Sequence, residues 1–154
     1  MLLFICGCQT QAEVNLSMAS LFQDHMVIQQ DTLVTIWGWA KEGVEVKLET
    51  SWGENSNSLT DSTGAWQLQV KTPKVDHIPH QITVKSGKEI IEINDVLLGE
   101  IWLASGQSNM EMPIKGFQYG NRRELIEGAE EEIALANFPE IRMFTVHRNI
   151  AFAP

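Results

Sequence analysis

The sequence is poor in cysteine, histidine and positive charge, and each shortage removes a class of function. Its two cysteines stand at positions 6 and 8. The rest of the chain therefore has neither a disulfide framework nor thiolate metal ligands. Of the four histidines, His25 and His147 are isolated. His77 and His80 flank Pro79 at a spacing that proline makes unfit for a helix. No cluster of ligand-type residues completes that pair, so a solvated loop and no metal site are expected. Eleven Lys and Arg stand against 20 Asp and Glu, for a net charge of −9. An acidic chain gains nothing from a phosphate backbone, which argues against nucleic acid as a partner. It also argues against docking to anionic lipid through a basic face. There is no internal repeat and no low-complexity tract. What remains, 154 residues that are 44% hydrophobic and 20% charged, suits one globular domain, or a small domain plus the start of another.

The amino terminus is a short apolar run, Met1 to Ile5, closing on Cys6-Gly7-Cys8. It is too short to span a bilayer and lacks a basic leading segment. A small residue ahead of a cysteine after an apolar run resembles a bacterial lipoprotein signal, with Cys8 as the lipid-bearing residue. The rival is a plain apolar terminus. Residues 1–12 are set aside from the fold as a truncated signal-like segment.

From Val14 to Ile93 the pattern is that of short strands. Val34 and Ile36 alternate with polar neighbours ahead of Trp37-Gly38-Trp39. After the break at Glu42-Gly43, Val44, Val46 and Leu48 alternate with Glu45, Lys47 and Glu49. Period-two alternation on both sides of a turn predicts half-buried antiparallel strands. Residues 53–62 are rich in Asn and Ser and read as a loop. Trp66, Leu68 and Val70 alternate next, and Ile82, Val84, Ile91 and Ile93 flank a turn at Ser86-Gly87-Lys88. Together these predict an antiparallel β-sandwich over residues 13–95. Trp37, Trp39, Trp52 and Trp66 are expected mostly to plug its core. The rival reading makes them a sugar-stacking platform on a non-catalytic glycan-binding module.

The pattern changes at Asn94-Asp95. Val96 to Leu98 and Ile101 to Ala104 are continuously apolar, which predicts a strand buried on both faces, as in a parallel sheet. Residues 122–136 are charged with spaced apolar positions and predict helix, in two pieces around Gly128, stopped by Asn137 and Pro139. Ile141, Met143, Thr145 and Val146 predict a second strand. Strand, helix and strand make a βαβ unit. Two parallel strands cannot cover their faces or edges, so residues 96–154 are expected to open an incomplete α/β domain. Ser108, in Ser105-Gly106-Gln107-Ser108-Asn109-Met110, falls just past the first of these strands, where open α/β sheets place ligands. Gly106 would let the backbone turn and approach a substrate. Gln107 and Asn109 bring amides that can hold the loop or donate hydrogen bonds. The serine's own N–H can point at a developing oxyanion. A serine hydroxyl is inert without a base, and no Asp-x-x-His occurs. Asp24 and Asp76 are each followed directly by a histidine, and no acid is placed to orient His147.

The block from Gly99 to Met110 resembles the nucleophile block of the sialate O-acetylesterases, which are SGNH-type, flavodoxin-like hydrolases. Leu21 to Gln30 resembles the start of that family's β domain. Trp37-Gly38-Trp39-Ala40, Gly43, Asp61, Gly64-Ala65-Trp66 and Ile141-Arg142-Met143-Phe144 match in order. The resemblance implies a serine hydrolase that removes acetyl esters from O-acetylated sugars and glycans. Ser108 is then the nucleophile, with its N–H in the oxyanion hole and no metal or organic cofactor. It also implies further oxyanion donors and an Asp–His pair from later blocks, which these residues lack, so the chain alone is expected to be inactive. Export to the periplasm or cell envelope, with membrane attachment through a lipidated Cys8, fits the amino terminus. Related acetylxylan esterases share a Gly-Gln-Ser-Asn block, so the motif leaves the sugar open, and nothing in the sequence sets the oligomeric state.

Overall fold

The computed structural model describes residues 15–119, 122–124 and 126–146. The signal-like segment with Cys8 and the isolated His147 lie outside these residues. The chain divides into two units, residues 1–100 and 101–154.

The described residues of the first unit form eight strands. They are β1 (Ser17–Met18), β2 (Val27–Gln29), β3 (Leu33–Trp39), β4 (Glu45–Thr50), β5 (Asn55–Leu59), β6 (Ala65–Lys71), β7 (His80–Ser86) and β8 (Glu89–Gly99). They form a three-stranded sheet in the order β1-β3-β6 and a five-stranded sheet in the order β2-β8-β7-β4-β5. Every pairing is antiparallel except β2 with β8, where Val27 faces Leu97. The alternation of the sequence does the sorting. Val46 and Leu48 of β4 are buried while Glu45, Lys47 and Glu49 are exposed, and Trp66, Leu68 and Val70 repeat this on β6. Buried side chains from both sheets enter one cluster that includes Ile36, Val46, Leu48, Val70, Ile82, Val84 and Val96. Each such aliphatic side chain contributes about 1.5–3 kcal/mol by leaving water.

Turns use side chains as well as glycine. Asp61 Oδ1 accepts from the Thr63 N–H at 2.8 Å, the Thr63 hydroxyl at 2.6 Å and the Ala65 N–H at 3.0 Å. These donors, the Thr63 hydroxyl foremost, hold the Asp61 carboxyl below the usual carboxylate range. Gly64 adopts φ +79, and a Cβ there would lie 2.3 Å from the Ala40 carbonyl oxygen, so the position excludes any other residue on two grounds.

Two features of this unit differ from expectation. The polar stretch 53–62 contains β5, which pairs with β4 from Glu45↔Leu59 to Glu49↔Asn55. An edge strand recruited by backbone bonding needs no apolar face, so periodicity misses it. Val96 to Leu98 continue β8 rather than opening a new sheet. β8 carries an irregularity where its pairing with β7 passes from Ile82↔Ile93 to His80↔Val96. Its extra residue falls at Asn94-Asp95, and Asp95 takes φ +53, the mark of a bulge.

The second unit has little regular structure among its described residues. A single 3-10 turn spans Ser108–Glu111. β9 (Phe117–Tyr119) pairs antiparallel with β10 (Arg122–Glu124). α1 (Ala129–Leu135) follows, with Gly128 as its N-cap at φ 74 and Glu130, Glu131 and Glu132 in its first turn, where the helix dipole favours acids. The helix expected over 122–136 is thus shortened, with β10 in its first third. The strands expected at 101–104 and 141–146 are not formed. Trp102 is 88% exposed and Leu103 92%, and Met143 is 92% exposed. A strand apolar on both faces is stable only with neighbours at its edges and layers above and below. A three-residue hairpin and a seven-residue helix supply neither. No helix among the described residues is long and apolar enough to cross a membrane.

Candidate functional site

Two groups of residues bear on function, one in each unit. In the first unit, the stretch 21–30 closes around the end of β8. Phe22 packs edge-on against Trp37 with ring centroids 4.8 Å apart. Asp24 Oδ1 accepts the Asn94 N–H at 2.7 Å, and the His25 N–H donates to the Asn94 carbonyl at 3.0 Å. The His25 imidazole pairs with the Asp95 carboxylate. Asp24 and His25 thus grip the β8 bulge from both sides, and His25 holds φ +63 to do so. Ile28 is buried in the core. Gln29 and Gln30 then donate through their side-chain amides to the two carboxylate oxygens of Glu100, at 3.0 and 2.9 Å. These donors, Gln29 first, hold the Glu100 carboxyl below its ordinary range. Gln30 Oε1 also accepts the Val75 N–H at 2.7 Å. The stretch therefore fixes where the chain leaves the first unit, immediately before the serine block.

In the second unit, Ser108 is the first residue of the 3-10 turn and is exposed. The turn is closed by the Met110 N–H donating to the Gln107 carbonyl at 2.9 Å. Gln107 is exposed too. Of Asn109 only the backbone is described, inside the turn. Gly106 precedes the 3-10 turn and is not among the glycines with positive φ. Its missing Cβ would lie 2.8 Å from Met110 Cγ. The glycine admits a close approach of Met110, a flexible side chain that is 53% exposed. The serine is reached from an irregular segment, because the buried strand expected to lead into it is absent.

The tryptophans divide. Trp66 is buried at 3% exposure, whereas Trp39 is 44% exposed. Trp37 and Trp52 are half-buried, and the Trp52 indole N–H donates to the Lys71 carbonyl at 3.0 Å. Three of the four are thus committed to packing, and no four-ring platform forms. The loop expected around His77 and His80 is also more ordered than the sequence suggests. The His80 side chain is 10% exposed and contacts the Asp76 carboxylate at 3.0 Å. No group of three or more metal-ligating residues occurs among the described residues.

No family model matches the chain. Similarity to individual proteins is clear. The chain is 25% identical to the sialate O-acetylesterase of Mus musculus over 94% of its own length. It is 26% identical to the sialate O-acetylesterase of Homo sapiens over 71% of its length. It spans about a quarter of these relatives, 27% and 23% respectively. The crystal structure of a carbohydrate acetylesterase from Xanthomonas citri superposes with a TM-score of 0.68 at 24% identity, covering 80% of this chain and 26% of that one. That likeness establishes a shared fold.

Proposed function

From a chain related to the sialate O-acetylesterases along nearly its whole length, we propose a carbohydrate O-acetylesterase segment whose nucleophile is Ser108. The first unit would be an accessory β-sandwich and the second the opening part of an SGNH-type hydrolase domain. The observation that carries the reading is the exposed Ser108 at the head of a one-turn 3-10 helix, inside the block that resembles the family's nucleophile block.

The chemistry follows from the residue type. Ser108 Oγ attacks the acetyl carbonyl carbon of the sugar ester while its proton passes to a base. The Ser108 N–H is offered to the oxygen that becomes negative. The sugar hydroxyl departs with a proton, and water then releases acetate from the acetyl-serine. Among the described residues the histidines are His25, His77 and His80, all in the first unit, and His25 and His80 are bound to carboxylates. The chain by itself is therefore proposed not to turn over at Ser108, and the Asp–His pair is assigned to later parts of a longer protein. Export, with Cys8 bearing lipid, is supported by the apolar run that ends at Ile5-Cys6-Gly7-Cys8.

An acetate-release assay on O-acetylated sialic acid tests the proposal in an esterase-active protein that contains this segment. Ser108→Ala is expected to lower kcat by about a thousandfold or more. Unchanged turnover would dismiss Ser108. Acetylated xylan as the parallel substrate decides which sugar is preferred.

A further inference from the structure

The first unit contains a second serine placed for chemistry, far in sequence from the Ser108 block. The β4–β7 ladder ends with Thr50 opposite Ile82. The next step of the ladder brings Ser51 beside Gln81, and the Ser51 N–H donates to the Gln81 carbonyl at 2.9 Å. The Gln81 N–H answers by donating to Ser51 Oγ at 3.1 Å. With that acceptor site filled, the hydroxyl lies 3.0 Å from His80 Nδ1. On its far side, His80 Nε2 meets both oxygens of Asp76, at 3.0 and 3.2 Å. Asp76 Oδ1 is oriented in turn by the Ile78 N–H at 3.1 Å.

This order assigns the protons. A carboxylate facing Nε2 favours the tautomer that carries its proton there. Nδ1 is then the acceptor and the Ser51 O–H the donor. A hydroxyl hydrogen-bonded to an imidazole, which a carboxylate orients in turn, is the arrangement that activates a serine. The imidazole is shielded, with a side chain 10% exposed and the Trp52 ring edge-on at 5.3 Å. Ser51 itself is exposed, so an electrophile can reach its oxygen. The bulge of β8 lies across from Gln81, one residue along β7 from His80, and bulges of this kind recur beside reactive sites.

We propose that Ser51, His80 and Asp76 form a second nucleophilic serine site that accepts small activated acyl or phosphonyl groups. Ser51 Oγ attacks the electrophilic carbon or phosphorus, and the hydroxyl proton moves to His80 Nδ1. With an ester, the leaving alcohol takes that proton, and water later frees the serine and the acid. With a fluorophosphonate, an O–P bond forms as the P–F bond breaks, and fluoride leaves. General-base assistance of this type is worth about 10²–10⁴-fold.

The test is fluorophosphonate labelling of the folded 154-residue chain, with adducts located by peptide mapping. An adduct is expected on the peptide Leu48–Lys71 at Ser51. It should persist in Ser108→Ala, vanish in Ser51→Ala, and form at least a hundredfold more slowly in His80→Gln. Asp76→Asn should slow it as well, since the imidazole loses its orienting charge. Circular dichroism and tryptophan fluorescence confirm folding of each variant, and Ser51→Gly, which also lacks the hydroxyl, serves if Ser51→Ala is unfolded. No adduct at Ser51 in the folded chain overturns the proposal. So does a labelling rate that His80→Gln leaves unchanged, because the hydrogen bonds would then be only a loop fastening. Ser108 is scored on its own peptide, so failure here is distinct from failure of the esterase reading.

Discussion

Replacing Thr72 by valine should loosen the segment that leads from β2 into β3. Thr72 is 1% exposed. Its hydroxyl accepts the Thr32 N–H at 3.2 Å and reaches the Gln29 carbonyl at 2.7 Å and the Thr32 carbonyl at 3.1 Å. Its backbone N–H donates to the Thr32 carbonyl at 2.9 Å. Valine has nearly the same shape and keeps the backbone bond but removes every hydroxyl contact. Stripping a part-buried donor of its acceptor costs up to about 1–3 kcal/mol, and the added methyl recovers about 0.8 kcal/mol at most. A net loss of up to about 2 kcal/mol in a unit this size lowers Tm by up to roughly 15 °C. Urea denaturation followed by tryptophan fluorescence reads the loss. Amide hydrogen exchange reads its place, because the Thr32 amide should exchange faster in Thr72→Val and stay protected in Thr72→Ser. Wild-type stability together with an equally protected Thr32 amide in the valine variant would refute the reasoning. The consequence reaches the esterase reading, since Gln29 and Gln30 beside this clasp hold Glu100 at the exit of the first unit.

Other perturbations probe different links. Leu48→Ala removes a fully buried side chain and should cost about 2–5 kcal/mol by denaturant titration. Gly64→Ala, at φ +79 and against the Ala40 carbonyl, should destabilise the first unit, with a lowered thermal midpoint as the readout. Because folding depresses the Asp61 pKa, its contribution is present above the unfolded value and is lost as pH falls through that value and then the lower folded one. The stability gap between wild type and Asp61→Asn should therefore be open at pH 7 and close below about pH 4. A gap that is constant with pH would contradict this assignment. Ser108→Ala should leave the thermal midpoint of the first unit unchanged, since Ser108 is exposed in the other unit.

The sequence made the interior of the first unit legible because burial there follows strict alternation. Val46 and Leu48, Trp66 and Val70, and Ile82 and Val84 all face the core as their spacing predicts. It concealed β5, whose side chains are polar on both faces and whose pairing resides in the backbone. It also concealed the parallel pairing of β2 with β8, a long-range contact without a local signal. At residues 96–104, continuous apolarity was ambiguous between the end of a long strand and the start of a new one. The first meaning holds through Gly99, and the exposed run beyond it has no described neighbours with which to form a sheet. Ser108 was legible as a candidate from its block. The Ser51–His80–Asp76 chain was not, because Asp76 and His80 are four residues apart rather than three and Ser51 joins them only through the β4–β7 register.

The most direct measurement is rapid-quench peptide mapping of an esterase-active protein containing this segment, after mixing with a sugar that carries an isotopically labelled acetyl ester. The account predicts transient label on the peptide Glu89–Lys115, at Ser108, and none there in Ser108→Ala. Turnover with label only at another residue, or with no acetyl-protein at any time, would contradict it.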